Sequence, residues 1–135
     1  MLMVSTSETD EEHYMARVLI VDDSPTEVHV LRTILEGNGH QVTSADNAEE
    51  GIGLAKSGKP DLILMDVVMP GMNGFQATRA LTKDDETSSI PIIIVTTKDQ
   101  ETDRVWGLRQ GAKDYISKPV VADELVSKIK AILGG

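Results

Sequence analysis

The sequence contains no cysteine, which excludes a disulfide framework and any thiolate metal site. No apolar stretch approaches the ~18–20 residues of a membrane span. Basic residues are scarce as well. Lys and Arg number 13 against 22 Asp and Glu, a formal net charge of -9, and no long basic run occurs. Binding of DNA or RNA through phosphate neutralisation is thereby disfavoured. Acidity alone implies little more, because many soluble domains carry net charge for solubility. The N-terminus, with Glu8, Asp10, Glu11 and Glu12, is too acidic for a signal or transit peptide. The expectation from these absences is a cytoplasmic protein with no membrane or nucleic-acid partner. The length, 135 residues, suits one domain with a core that needs no staples.

The chain is punctuated regularly. Residues 1–14 are polar, acidic and aperiodic, and are expected to form a disordered extension, with Met15 a candidate translation start. Arg17 to Val21 reads as a buried strand running into Asp22-Asp23. Ser24, Pro25 and Glu27 have the order of a helix start, with Glu27 expected to complete a capping box. Val28, Leu31, Ile34 and Leu35 make the helix's apolar stripe, and Gly37-Asn38-Gly39 stops it. Gln41 to Ala45 is a second strand. Asn47 and Glu50 start a second helix, in which Gly51 and Gly53 each cost up to ~1 kcal/mol against alanine.

Asp61-Leu62-Ile63-Leu64-Met65-Asp66 is almost wholly apolar and is followed by the turn-forming Pro70-Gly71, as a strand buried on both faces would be. Asn73 and Gln76 cap a third helix carrying Phe75, Ala77 and Leu81. Pro91 to Val95 is a fourth apolar strand, ending at Thr96-Thr97. A helix from about Asp99 to Gln110 follows, then a strand over Lys113 to Ser117 and Lys118-Pro119. The last helix, about Ala122 to Leu133, has Asp123 and Glu124 at its start and lysines later, as the helix dipole favours. Five strand-helix units with short loops predict an α/β domain with a parallel sheet and helices on both faces.

In such a sheet ligands bind at the carboxyl ends of the strands. The residues standing there are Asp22 and Asp23, Asp66, Thr96 and Lys118. Each alone is an ordinary cap or loop residue. At matching strand ends they form a set of three carboxylates, one hydroxyl and one ammonium. Crowded carboxylates must bind a cation or shift their pKa values. An oxygen-only set points to a hard cation, and Mg²⁺ is the one expected. Lys118 and Thr96 suit the oxygens of a phosphoryl group. Asp66 is left as the nucleophile that would form an acyl phosphate.

The set Asp22-Asp23, Asp66 with Met69-Pro70-Gly71, Thr96, and Lys118-Pro119 resembles the receiver domain of bacterial two-component response regulators. The resemblance covers about Ala16 to Leu133, giving a receiver domain over 15–135. The stretches VDDSPTE, MDVVMPGMNGFQATRALTKD, VTTKDQETDRVWG and RQGAKDYISKP look most like regulators of type IV pilus twitching motility, which belong to chemotaxis-like phosphorelays. The fold implied is flavodoxin-like (CheY-like), doubly wound, with strand order 2-1-3-4-5.

By that resemblance Asp66 takes phosphate from a histidine kinase or its phosphotransfer domain. Asp22, Asp23, Asp66 and the carbonyl of Val68 hold Mg²⁺, and Lys118 contacts the phosphoryl group, with the Lys118-Pro119 bond cis. Thr96 and Tyr115 form a switch pair, in which the Tyr115 ring follows the Thr96 hydroxyl inward. The readout is a changed surface on the fourth helix, fifth strand and fifth helix. Thr97 stands where the family often has alanine, and Val68 and Lys98 occupy positions that tune dephosphorylation.

The protein is thus expected to be a stand-alone phosphoacceptor rather than an enzyme acting on outside substrates, since Gly134-Gly135 leaves no room for an output domain. It would be a monomer or a weak, phosphorylation-dependent dimer. Its output would be contact with a downstream motility or pilus protein, or withdrawal of phosphate from a shared kinase. Two other classes stay open: an aspartyl-phosphate phosphohydrolase, and a binding module that no longer uses phosphate. With Val105 and Leu108 facing the sheet, Trp106 would lie toward one flank, where it either packs or offers a partner anchor, the expected partner surface being Trp106 and Tyr115. Gly51-Ile52-Gly53 lacks the next glycine and the strand-end context of a dinucleotide site. His13, His29 and His40 are scattered and are expected at the solvated surface.

Overall fold

The computed structural model describes residues 15–134; the expected N-terminal extension and His13 lie outside the described residues. Strands β1 (Arg17–Val21), β2 (Gln41–Ala45), β3 (Leu62–Met65), β4 (Ile92–Thr96) and β5 (Asp114–Ser117) alternate with helices α1 (Pro25–Gly37), α2 (Ala48–Gly58), α3 (Gly74–Lys83), α4 (Glu101–Gln110) and α5 (Ala122–Ile132). All four strand pairings are parallel, in the order β2-β1-β3-β4-β5. Every strand end therefore meets the same edge.

The apolar strands are explained by the two layers they serve. Successive side chains point to opposite faces. Val18, Ile20, Leu64 and Val95 pack with Leu31 and Leu35 of α1 and Leu125 and Ile129 of α5. Leu19, Val21, Ile63 and Met65 pack on the other face with Ala55 of α2 and Ala77 and Leu81 of α3. Burying each such aliphatic side chain contributes ~1.5–3 kcal/mol. The central strands have no solvent face to mark by polar residues.

Local start signals hold with one correction. Asn73 and Gln76 form a reciprocal capping box at α3, with bonds of 2.9 and 3.0 Å. Asn47 Oδ1 accepts the Glu50 N–H at 2.8 Å. At α1, Ser24 Oγ accepts the Glu27 N–H at 3.3 Å, but Glu27 does not complete the box. The Ser24 N–H donates to Asp22 Oδ1 at 2.9 Å instead, because a carboxylate two residues back is already fixed at the strand end. Gly51 has a structural reason: a Cβ there would lie 2.7 Å from Val21 Cγ2, so its absence lets α2 lie close on β1.

Two further expectations are corrected. Val105 and Leu108 do not face the sheet; they are 39% and 38% exposed, with Trp106 at 51%. Gly107 and Gln110 are the buried residues of α4, and a Cβ on Gly107 would stand 2.8 Å from Ile94 Cδ1. The helix approaches through backbone rather than through an apolar stripe, so apolar periodicity misreads it. His40 is not at the surface either. It is buried, and its Nδ1 accepts the Ala16 N–H at 2.9 Å, satisfying a backbone donor just before β1.

Candidate functional site

The carboxyl edge brings together five of the residues singled out in the sequence. Asp22 and Asp66 are each held one step beyond a buried strand, and both are themselves buried. Asp66 Oδ1 accepts the N–H of Val67 at 2.8 Å, leaving Oδ2 toward the site. Asp23 is exposed beside them. One carboxylate oxygen from each of Asp22, Asp23 and Asp66 lies within 4.8 Å of the others.

Lys118 is the counter-charge, and its peptide bond to Pro119 is cis. Its Nζ lies 2.7 Å from Asp22 Oδ2 and 3.7 Å from Asp66 Oδ2. Burial pushes the pKa of Asp66 above the ordinary carboxylate value. Lys118 opposes that shift, the Asp22 charge adds to it, and hydrogen bonds from Thr96 and the Val67 N–H pull it down. The balance is a carboxylate short of compensating positive charge, which favours a bound cation.

Thr96 is wholly buried at the end of β4, and its Oγ1 accepts the Lys98 N–H at 3.3 Å. Tyr115 is 4% exposed and donates its hydroxyl to the Lys98 carbonyl at 2.7 Å. Both members of the expected switch pair therefore end on one residue, Lys98, on the two peptide groups that flank its Cα. Burial, with the charges of Asp103, Asp66 and Asp99, pushes the Tyr115 hydroxyl up to about 12. Trp106 is not brought into this group; it faces solvent on α4, while Tyr115 lies beneath. Thr97 is exposed, as is Val68 at 57%.

Residues 18–130 match the response regulator receiver domain family. The chain belongs to that family. This receiver is 64% identical over 121 residues to PilH of Pseudomonas aeruginosa, across 90% of this chain and 100% of that protein. It is 38% identical to the phosphate regulon regulator PhoB of Escherichia coli, across 87% of this chain and 51% of that protein. Among solved structures, the receiver domain of sensor histidine kinase PA1611 from Pseudomonas aeruginosa, with a magnesium ion coordinated in its active site cleft, matches with a TM-score of 0.82. That match has 29% identity and covers 90% of this chain and 99% of that one. The chemotaxis protein CheY4 of Vibrio cholerae matches with a TM-score of 0.81 at 29% identity, covering 87% and 98%. The receiver fold, its strand order and a place in two-component signalling follow. No helix among the described residues is long and apolar enough to cross a membrane.

The donor set fits a hard divalent cation. Three carboxylates converge, and the chain has no cysteine thiolate to compete with them, which is the chemistry Mg²⁺ selects. The sequence reading missed two residues that shape this receiver's site. Glu27, read as a cap, has its Oε1 3.9 Å from Lys118 Nζ; a carboxylate freed from its cap by Asp22 was the available signal. Gly74 lies against the loop that follows β3, where a Cβ would stand 2.0 Å from the Asp66 carbonyl oxygen. Its place directly after the capping Asn73 was the only trace of that.

Proposed function

We propose that the receiver accepts a phosphoryl group on Asp66 from a histidine kinase or its phosphotransfer domain, and that its phosphorylated form acts on a motility or pilus protein or drains phosphate from a shared kinase. The observation that carries this is the buried Asp66 carboxylate, its pKa raised, beside Lys118 and two further aspartates. Asp66 Oδ2 would attack phosphorus as the bond from phosphorus to the histidine nitrogen breaks, the electron pair returning to the imidazole. Asp22, Asp23, Asp66 and the Val68 carbonyl would hold Mg²⁺, which supplies charge neutralisation for the phosphoryl oxygens. Lys118 would orient one of those oxygens, and the Thr96 hydroxyl would donate to another.

The transferred charge is then read through Lys98. Drawing the Thr96 hydroxyl toward the phosphoryl group pulls its oxygen away from the Lys98 N–H that it accepts, and Lys98 is the residue whose carbonyl anchors Tyr115. A local charge event thereby reaches α4, β5 and α5, where Trp106, exposed on α4 along with Val105 and Leu108, is a candidate for partner contact. The 64% identity to PilH supports placing the pathway in twitching motility. The test is phosphotransfer profiling against the histidine kinases of the host, with decay of the label followed in time. One kinase that labels the chain far faster than the others supports the reading, and labelling by none of them opposes it.

A further inference from the structure

Lys118 is surrounded by more carboxylate than the proposed chemistry uses. Its Nζ lies 2.7 Å from Asp22 Oδ2, 3.7 Å from Asp66 Oδ2 and 3.9 Å from Glu27 Oε1. Asp22 and Asp66 have assignments, as cation ligands and, for Asp66, as phosphoacceptor. Glu27 has none. Its helix-start role is filled by its backbone N–H on Ser24 Oγ, and the Ser24 N–H that its carboxylate would have capped belongs to Asp22. The Glu27 side chain nevertheless leans from the first turn of α1 toward the ammonium, at the rim of the site and 36% exposed.

We propose that Glu27 is a positioning residue for Lys118, competing with the phosphoryl group for its ammonium; this rests on the reading of Asp66 as phosphoacceptor. A lysine ammonium has three N–H donors, and in the resting site three carboxylates stand around it. When Asp22 turns to a bound cation, Lys118 loses its nearest partner and is shared between Glu27 and the group on Asp66. Glu27 draws it toward α1, away from the phosphoryl oxygens. A partly exposed ion pair is weak, so Glu27 trims the affinity of the phosphorylated state rather than abolishing it.

The test is calorimetric titration of beryllofluoride, which mimics a phosphoryl group on a carboxylate, into the full chain at saturating Mg²⁺. Glu27→Gln is expected to bind it about two- to fivefold more tightly than the unaltered protein. Asp46→Asn is the control, because Asp46 shares a groove with Asp22 and Asp23 but is not among the ion-pair partners of Lys118. Its affinity is expected to stay unchanged. Unchanged affinity in Glu27→Gln overturns the proposal, and so does equal tightening in Asp46→Asn, which would be a diffuse charge effect. If the unaltered protein binds no beryllofluoride, the phosphoacceptor reading itself falls; if it binds and only the variant result fails, the role of Glu27 alone falls.

Discussion

The hydroxyl of Tyr115 donates to the carbonyl of Lys98 at 2.7 Å, tying β5 to the loop that follows Thr96. Tyr115→Phe keeps the ring and removes this bond, leaving a carbonyl without its partner. The expected loss is about 1 kcal/mol of stability, read as a lowered urea midpoint at unchanged slope. Since the Tyr115 pKa is raised to about 12 from 10.0, the folded state holds its proton more tightly than the unfolded chain. This contribution is complete below pH 10 and is lost as pH rises toward 12. Tyr115→Phe lacks that part of the alkaline decline.

Gly74→Ala tests how closely α3 rests on the loop that carries Asp66. The added Cβ would meet the Asp66 carbonyl oxygen at 2.0 Å and Val67 Cα at 2.8 Å. Both are backbone atoms, which have little freedom to move. The intrinsic gain of alanine in a helix, ~1 kcal/mol, is expected to be outweighed by an overpacking cost of about 3 kcal/mol. Thermal unfolding should show the loss, and whatever folds should phosphorylate slowly because Asp66 has been displaced.

His40 gives the acid side of the stability profile. Burial lowers its pKa from 6.5, and its unprotonated Nδ1 accepts the Ala16 N–H. The unfolded chain therefore binds a proton first as pH falls. Stability from this site is present above pH 6.5 and is lost as pH falls through that value toward the lower folded pKa. Urea midpoints at pH 7.5 and 5.5 should show this loss, and in His40→Ala the step should disappear from a protein already weaker at pH 7.5.

Asp66 carries the opposite sign. Its folded pKa is raised, so the ionised group opposes folding at neutral pH in the absence of metal. Asp66→Asn is expected to be more stable than the unaltered protein at pH 7 in EDTA, by chemical denaturation. A functional carboxylate kept at the expense of stability is a familiar pattern at active sites. Equal or lower stability would show that Lys118 already compensates the charge.

Much of this was legible in the sequence because it depends on local chemistry. The apolar runs ending in Asp22, Asp66 and Thr96 place those residues at strand ends whatever the details of packing, and Asn73 with Gln76 announces α3 by a bond pattern of four residues. Strand order was not legible from pattern; it came from the resemblance. The failures share one cause, namely partners distant in the chain. α4 packs through Gly107 because Ile94 and Tyr115 lie beneath it, and Glu27 leans on a lysine supplied by the far end of β5. His40 is buried because a backbone donor at Ala16 requires an acceptor there. Periodicity along one segment carries none of this.

The central claim is that Asp66 is the phosphoacceptor. Intact mass spectrometry after exposure to Mg²⁺ and a small phosphodonor tests it most directly. One phosphoryl adduct that maps to Asp66, is absent in Asp66→Asn and is lost when Mg²⁺ is chelated before the donor is added is the predicted result. An adduct persisting in Asp66→Asn, or no adduct on the unaltered protein with its cognate kinase supplied, would contradict it.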